Sequence, residues 1–231
     1  YPGINFAQFN INLIEGSNHT LNNMSPLAKA ASAKYLEQLG VNIITETFVK
    51  NYDGLTLELS NGNTLQSKTV IWAAGVIGNK IIGLPSTAMK QGNRIAVNRT
   101  NLIESCQNIY AIGDIALMET PKYPKGHPQL ANVAINQAKN LARNLKRQEN
   151  NILQKEFEYT DLGSMATIGR NKAVVDLPFY HFKGYFAWLV WMFLHLMLIL
   201  SVRNKLIIFI NWVWAYFTKD TSLRLILNQK K

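Results

Sequence analysis

One cysteine, Cys106, is all the chain contains, which excludes an internal disulfide framework and a paired-cysteine redox centre within these residues. Histidine is nearly as scarce. His19, His127, His181 and His195 are scattered without the short spacings of a zinc or iron site, so no metal is expected. No G-x-G-x-x-G run occurs, and the glycine-rich loop that cradles a dinucleotide pyrophosphate is therefore missing from this sequence. The chain opens on Tyr1 with no charged-then-apolar region, so no signal peptide is expected. Acids are few, 14 against 24 Lys and Arg, for a formal net charge of +10.

That charge is concentrated in two places. Residues 122–147 hold Lys122, Lys125, Lys139, Arg143, Lys146 and Arg147 and no acid. From Lys183 onward seven cations face Asp220 alone, interleaved with Trp, Phe and Tyr. Basic residues among aromatics can mark nucleic-acid binding. Here the aromatics lie in long apolar runs, which fits an anionic membrane surface better than a nucleic acid. At 231 residues the chain suffices for one large or two small domains with a real core.

Residues 109–113 read as a short buried strand that stops at Asp114, and Pro128 opens an amphipathic helix running to about Arg147. A strand ending in Gly113-Asp114 followed by a helix start is a way to hold a sugar-phosphate. Glycine lets a ligand approach the backbone, and the carboxylate accepts from hydroxyls. The helix start near Leu130 offers unpaired N–H groups and a positive dipole end to an electron-rich ring. An ordinary strand-turn-helix has the same pattern.

Upstream, residues 11–16 read as a strand ending in Glu15-Gly16. Ser25-Pro26 supplies an N-cap and a first-turn proline, the helix stops at Gly40, and residues 41–44 form the next strand. This is a βαβ unit and predicts a parallel sheet. In dinucleotide-binding folds an acid at a strand end accepts from the adenosine ribose, a role Glu15 is placed to take; a solvated strand-end acid would look the same. The glycine fingerprint belongs roughly 20 residues upstream, before Tyr1, and the chain is expected to be the C-terminal part of a longer protein. Asp53-Gly54 and Asn61-Gly62 predict a three-stranded antiparallel flap over residues 48–66. A strand at 69–73 closes on Ala74-Gly75, where small residues make room for a cofactor or simply for close packing. After the loop-rich stretch 83–92, a short strand is expected at 94–97. Residues 157–168 and 172–177 predict a hairpin around Gly169-Arg170-Asn171.

The last expectation concerns residues 184–202, whose most polar members are His195 and Ser201. A helix of that length is roughly 28 Å, close to a bilayer core. Arg203-Asn204-Lys205 is expected to interrupt it before a second apolar segment at 206–218. Trp188, Trp191, Trp212, Trp214 and Tyr216 crowd this region as interface-seeking aromatics do. A spanning helix, a pair lying in one leaflet and a buried hairpin all fit. The positive-inside preference and the short second segment favour in-plane anchoring.

Ile109-Tyr110-Ala111-Ile112-Gly113-Asp114 resembles the second flavin-binding motif of two-dinucleotide-domain flavoproteins. Residues 131–138 resemble the AQxAxQQG motif of type II NADH dehydrogenases, the single-subunit FAD-dependent NADH:quinone oxidoreductases. Ala131, Ala134 and Gln137 match that motif outright; Asn132 and Asn136 replace two of its glutamines, and Ala138 replaces its glycine. Residues 161–173 resemble the stretch before the family's membrane anchor.

The resemblance implies an α/β fold: part of a Rossmann-like flavoprotein with two dinucleotide-binding domains, an antiparallel β insert and C-terminal membrane-associated helices. Residues 1–90 would belong to the NADH-binding domain, 91–150 to the FAD-binding domain, 151–180 to a β-hairpin region and 181–231 to a membrane-anchoring tail. It implies FAD held by Gly113, Asp114, Leu130, Ala131 and Asn132, and NADH near Glu15, Ala74 and Gly75. Asn132, Gln137 and Lys172 would border the quinone, with Lys172 steadying a developing quinol anion or, in the simpler case, standing as a solvated turn lysine. The cofactor carries the chemistry, so no catalytic acid–base pair is required.

The implied activity is hydride transfer from NADH to FAD and on to a membrane quinone, in a respiratory chain and without proton pumping. The expected place is the cytoplasmic face of the inner membrane, monotopic or peripheral. Partners are NADH, quinone, the lipid surface and, in a homodimer, a second copy. A sulfide:quinone flavoprotein and a non-enzymatic membrane-associated domain with a degenerate nucleotide fold are the alternatives.

Overall fold

The computed structural model describes residue 5 and residues 8–104, 106–199 and 201–218. They fall into two compact units, Tyr1–Val70 with Leu162–Lys231, and Ile71–Asp161.

The first unit starts with the expected βαβ. β1 (Ile11–Ile14) pairs in parallel with β2 (Val41–Ile44), Ile11 opposite Val41 and Ile14 opposite Ile44. Between them α1 (Pro26–Gln38) begins as its sequence dictates: the Ser25 side chain accepts from the Ala28 N–H at 3.2 Å, and Pro26 needs no partner. Gly40, at φ +78°, ends the helix, its N–H donating to Glu37 O. The flap follows as β3 (Val49–Tyr52), β4 (Thr56–Leu59) and β5 (Thr64–Gln66), an antiparallel meander. Its first turn is closed by the Asp53 carboxylate, which accepts from the N–H groups of Leu55 and Thr56.

The same unit resumes with β8 (Ser164–Gly169), β9 (Lys172–Asp176) and β10 (His181–Gly184), antiparallel with β9 in the centre. The strand period of two then decides the packing. Val174 packs with Ala28 and Ala31 of α1, while Ala173 and Val175 pack with Ala187 of α3 (Tyr185–Leu198). β9 is thus covered by a helix on each face, and all three residues are fully buried.

The expected interruption at 203–205 is corrected. α3 ends at Leu198 and α4 (Val202–Thr218) begins just after Ser201, which takes φ +78°, so Arg203, Asn204 and Lys205 sit in the first turn of α4. Charge alone does not end a helix when the side chains can reach solvent. α3 and α4 meet through Trp188–Tyr216 and Trp191–Trp212 ring contacts, with the Arg170 guanidinium 4.2 Å from the Tyr216 ring centre. Among the described residues no helix is long and apolar enough to cross a membrane.

The second unit has little regular sheet: β6 (Ile95–Ala96) and β7 (Ala116–Leu117), parallel, besides α2 (Ala131–Glu149). Two expectations fail here. Residues 69–73 form no strand, and Ile71 is 86 % exposed. Residues 109–113 are not a buried strand either; Tyr110 makes a single bridge to Leu102, and Gly113–Ile115 turn as a 3-10 segment. A strand needs a ladder neighbour; the described residues supply none beside 69–73, and beside 109–113 residues 101–103 supply only one bridge and two main-chain bonds, Ile103 N–H to Ile109 O and Ala111 N–H to Asn101 O. The core is built from loops instead: Ala88, Ile95, Val97, Ile103, Ala111, Ala116 and Met118 pack with Val133 of α2 and with Phe157 and Tyr159.

Candidate functional site

Gly113 and Asp114 sit where two stretches of chain meet. Gly113 has φ +73°, a conformation glycine adopts without strain, and an added Cβ would lie 3.3 Å from Ala134 Cβ on α2. The turn therefore lies close against the helix. Asp114 follows with its carboxylate exposed and no hydrogen bond to it from any described residue. Its main-chain oxygen is held instead, accepting from Arg94 Nε at 3.1 Å and from Gln129 Nε2 at 3.1 Å.

Arg94 does more than this. Its Nη2 donates to Ala116 O at 2.6 Å and to His127 O at 3.1 Å, so one guanidinium ties the Asp114 turn, β7 and the lead-in to α2 together. Burial pushes the Arg94 pKa down and the Asp114 charge pushes it back up; a guanidinium stays protonated regardless.

α2 starts after Leu130 with no side chain capping it, and Leu130, Ala131 and Asn132 are exposed. The first-turn N–H groups there lack intrahelical partners. Gln137, two turns on, is fully buried and its Oε1 accepts from the Gly113 N–H at 2.7 Å. An exposed carboxylate, a glycine turn close to the helix and an uncapped helix start are the donor and acceptor set for a cofactor with a hydroxylated chain and an electron-rich ring edge. The residues present fit FAD.

Behind the turn, Asn101 is fully buried, at φ +67°, and donates from Nδ2 to Ala111 O, while its main-chain oxygen accepts from Ala111 N–H. His127 is buried among Tyr123, Phe157 and Tyr159, with Glu158 3.5 Å from Nε2. Burial lowers its pKa, against the opposing pull of Glu158, which keeps the ring neutral at ordinary pH. Sequence reasoning missed Arg94, Asn101, Gln129 and His127. Only the position of His127 and Gln129 around Pro128, at the foot of a helix, could have flagged them.

In the other unit Glu15 follows β1. Its Oε1 accepts from the Ser17 N–H at 2.8 Å and the Ser17 hydroxyl at 2.7 Å, and these bonds, the N–H first, hold its carboxyl below the usual range. An open cleft lined by His19, Thr20, Lys29, Glu37 and Thr45 lies between the loop after β1, α1 and the end of β2. Lys172, at the start of β9, donates to Gln38 Oε1 at 2.9 Å and lies 5.4 Å from the Tyr35 ring centre. Ala74 and Gly75 are exposed in the second unit, Gly75 at φ +95°. The structure thus brings Gly113, Asp114, Leu130, Ala131, Asn132 and Gln137 together in one unit and places Glu15 and Lys172 in the other.

The C-terminal helices present large apolar side chains outward: Phe186, Phe193 and Leu198 on α3, Ile210, Trp214 and Phe217 on α4. An apolar surface of this kind seeks a covering medium.

Residues 3–138 match the family described as pyridine nucleotide-disulphide oxidoreductase, and residues 162–219 match the NDH2 C-terminal domain. The type II NADH:quinone oxidoreductase Ndh of Mycobacterium tuberculosis is 29 % identical over 215 residues, covering 88 % of this chain and 45 % of the relative. The mitochondrial internal alternative NAD(P)H-ubiquinone oxidoreductase A1 of Solanum tuberosum is 29 % identical over 230 residues, covering 92 % and 46 %. The chain spans about half the length of the curated relatives it matches. Among solved structures, NDH2 from Plasmodium falciparum in complex with NADH has the same fold, with a TM-score of 0.80 at 20 % identity over 91 % of this chain and 58 % of that one.

Proposed function

Because this chain belongs to the pyridine nucleotide-disulphide oxidoreductase family and carries a match to the NDH2 C-terminal domain, we propose that it forms part of an FAD-dependent NADH:quinone oxidoreductase. FAD, when bound, would supply two-electron redox chemistry between NADH and a membrane quinone. The chain's own residues bind and orient. Asp114 accepts from the hydroxyls of the cofactor's sugar-like chain, and Gly113 lets that chain approach the backbone. Beside Leu130, whose own N–H donates to Pro128 O, the N–H groups of Ala131 and Asn132 are available to the electron-rich edge of the ring, where the positive end of α2 favours added negative charge.

Glu15, held ionised by Ser17, accepts from the NADH ribose, and its charge disfavours a 2′-phosphate. Asn132 borders the quinone. α3 and α4 lie in the plane of the membrane at its cytoplasmic face, with Arg203 and Lys205 reaching the headgroups. In-plane anchoring suits a substrate whose tail is dissolved in lipid. The match over residues 162–219 supports this reading over a sulfide:quinone enzyme.

The observation that carries the proposal is the pairing of an exposed Asp114 carboxylate with the uncapped start of α2 around Gly113. The test is absorbance near 450 nm together with steady-state NADH oxidation by the full-length protein and a short-tail quinone. Flavin absorbance with turnover is expected. Purified folded protein that shows neither, even after incubation with FAD, overturns the proposal.

A further inference from the structure

Gln137 matches the quinone-associated motif by resemblance, yet its surroundings assign it different work. Its side chain is fully buried at α2, so no ligand reaches it from solvent. Its Oε1 accepts from the Gly113 N–H at 2.7 Å, a short bond to a residue whose φ is +73°. Its Nε2 has no hydrogen-bond partner among the described residues.

The polar groups of the Gly113-Asp114 dipeptide can be followed one by one. The Gly113 N–H goes to Gln137, and the Gly113 oxygen accepts from the Ala116 N–H. The Asp114 oxygen accepts from Arg94 and Gln129. The Asp114 carboxylate is exposed and takes no hydrogen bond from any described residue. Three side chains, Gln137 from α2 at the N–H end and Arg94 and Gln129 at the carbonyl end, therefore grip the dipeptide. They fix both the left-handed turn and the direction in which the carboxylate leaves it.

We propose that Gln137 is a positioning residue for the FAD-binding turn, setting Gly113-Asp114 against the start of α2, and is not a contact of the quinone. This rests on the FAD reading given above. Gln137 acts through Gly113, and its role requires the side-chain oxygen as acceptor. A carboxylate in the same place keeps that acceptor; a branched alkyl side chain removes it and leaves the Gly113 N–H unpaired.

The test uses the full-length protein with its flavin removed. FAD affinity is measured by fluorescence titration, and the KM for a short-tail quinone is then measured at saturating FAD, for Gln137→Leu and Gln137→Glu beside the wild type. Gln137→Leu is expected to weaken FAD binding about tenfold, the order expected for stranding a buried N–H. Its quinone KM should stay within about twofold of the wild type, and Gln137→Glu should hold FAD within about threefold.

Amide exchange gives a second readout that needs no flavin: the Gly113 N–H should be protected in the wild-type apoprotein. Unchanged FAD affinity with a raised quinone KM in Gln137→Leu overturns the proposal. So does an equal FAD loss in a folded Gln137→Glu, or fast exchange at Gly113 in the wild type. The last two arms decide the matter even if Gln137→Leu fails to fold. A wild-type protein with a protected Gly113 amide that takes up no FAD sinks the FAD reading, and the positioning role with it.

Discussion

The two units solve the same problem in opposite ways. In the first, each strand finds its neighbour nearby: β1 pairs with β2 across α1, and β9 pairs with β8 and β10 across tight turns. Backbone groups are satisfied by ladders, and the helices α1 and α3 bury alternate residues of β9. In the second unit the ladders are two residues long, and side chains take over the task. Arg94 satisfies three carbonyls, Asn101 and Ala111 bond each other twice, and Asn144 of α2 both donates to Lys155 O and accepts from its N–H. A unit held by side chains is easier to reshape around a ligand and more exposed to single substitutions. The turn proposed for FAD lies in that unit.

The contrast is broken most severely at Phe157. It is buried against the loop-built core, packs edge-on to the His127 ring, and its N–H donates to Arg99 O. Phe157→Ala should cost about 3–5 kcal/mol by transfer and cavity terms together. Hydrogen exchange should then quicken across residues 95–118 while β1 and β2 keep their protection. Equal loss of protection in both units would show that the two are one cooperative body.

The same contrast explains what could be read in advance. The Ser25-Pro26 start of α1, the Gly40 stop, the bounds of β2 and the turns at Asp53-Gly54 and Asn61-Gly62 are local, each set by residues within a few positions. All are seen in the structure. Residues 69–73 carry an equally good β pattern and form no strand, because pairing depends on a neighbour that no local signal reports; residues 109–113 meet residues 101–103, but only through one bridge, too short for a strand. Around the turn, Gly113, Asp114 and the helix start could be singled out from their sequence pattern. Arg94 and the Gly113 bond of Gln137 could not, since each depends on chain brought together across about 20 residues.

In the first unit, the join between α1 and the β8–β10 sheet sharpens the comparison. Asp176 accepts from the Ser25 N–H at 2.6 Å and the Ser25 hydroxyl at 2.7 Å, with His181 Nδ1 3.1 Å away. Burial alone would raise its carboxyl pKa; the Ser25 bonds and His181 outweigh burial and lower it. Stability from these bonds is therefore present in full above about pH 4, the ordinary carboxylate value, and is lost as pH falls through the lower folded value. Asp176→Asn should cost about 1–3 kcal/mol at neutral pH, since it weakens the acceptor for a helix-cap N–H and hydroxyl. Thermal melts of the two proteins should converge as the pH drops below about 4. A gap that persists in acid would mean that the charge on Asp176 is not what holds the join.

The smallest expected effect, and the most informative about function, is at Glu15. Its carboxylate is held in place by Ser17 and belongs to the ladder-built unit, so removing the charge should leave the fold intact. Glu15→Gln keeps an acceptor oxygen and loses the charge-assisted bond to a ribose hydroxyl, for which a rise in NADH KM of about three- to tenfold is expected at little change in kcat. The same substitution should narrow the preference for NADH over NADPH, because the repulsion of a 2′-phosphate goes with the charge. Steady-state kinetics with both nucleotides measure the two effects in one preparation. If KM for NADH is unchanged while the melting temperature falls, Glu15 serves the loop after β1 and not the nucleotide.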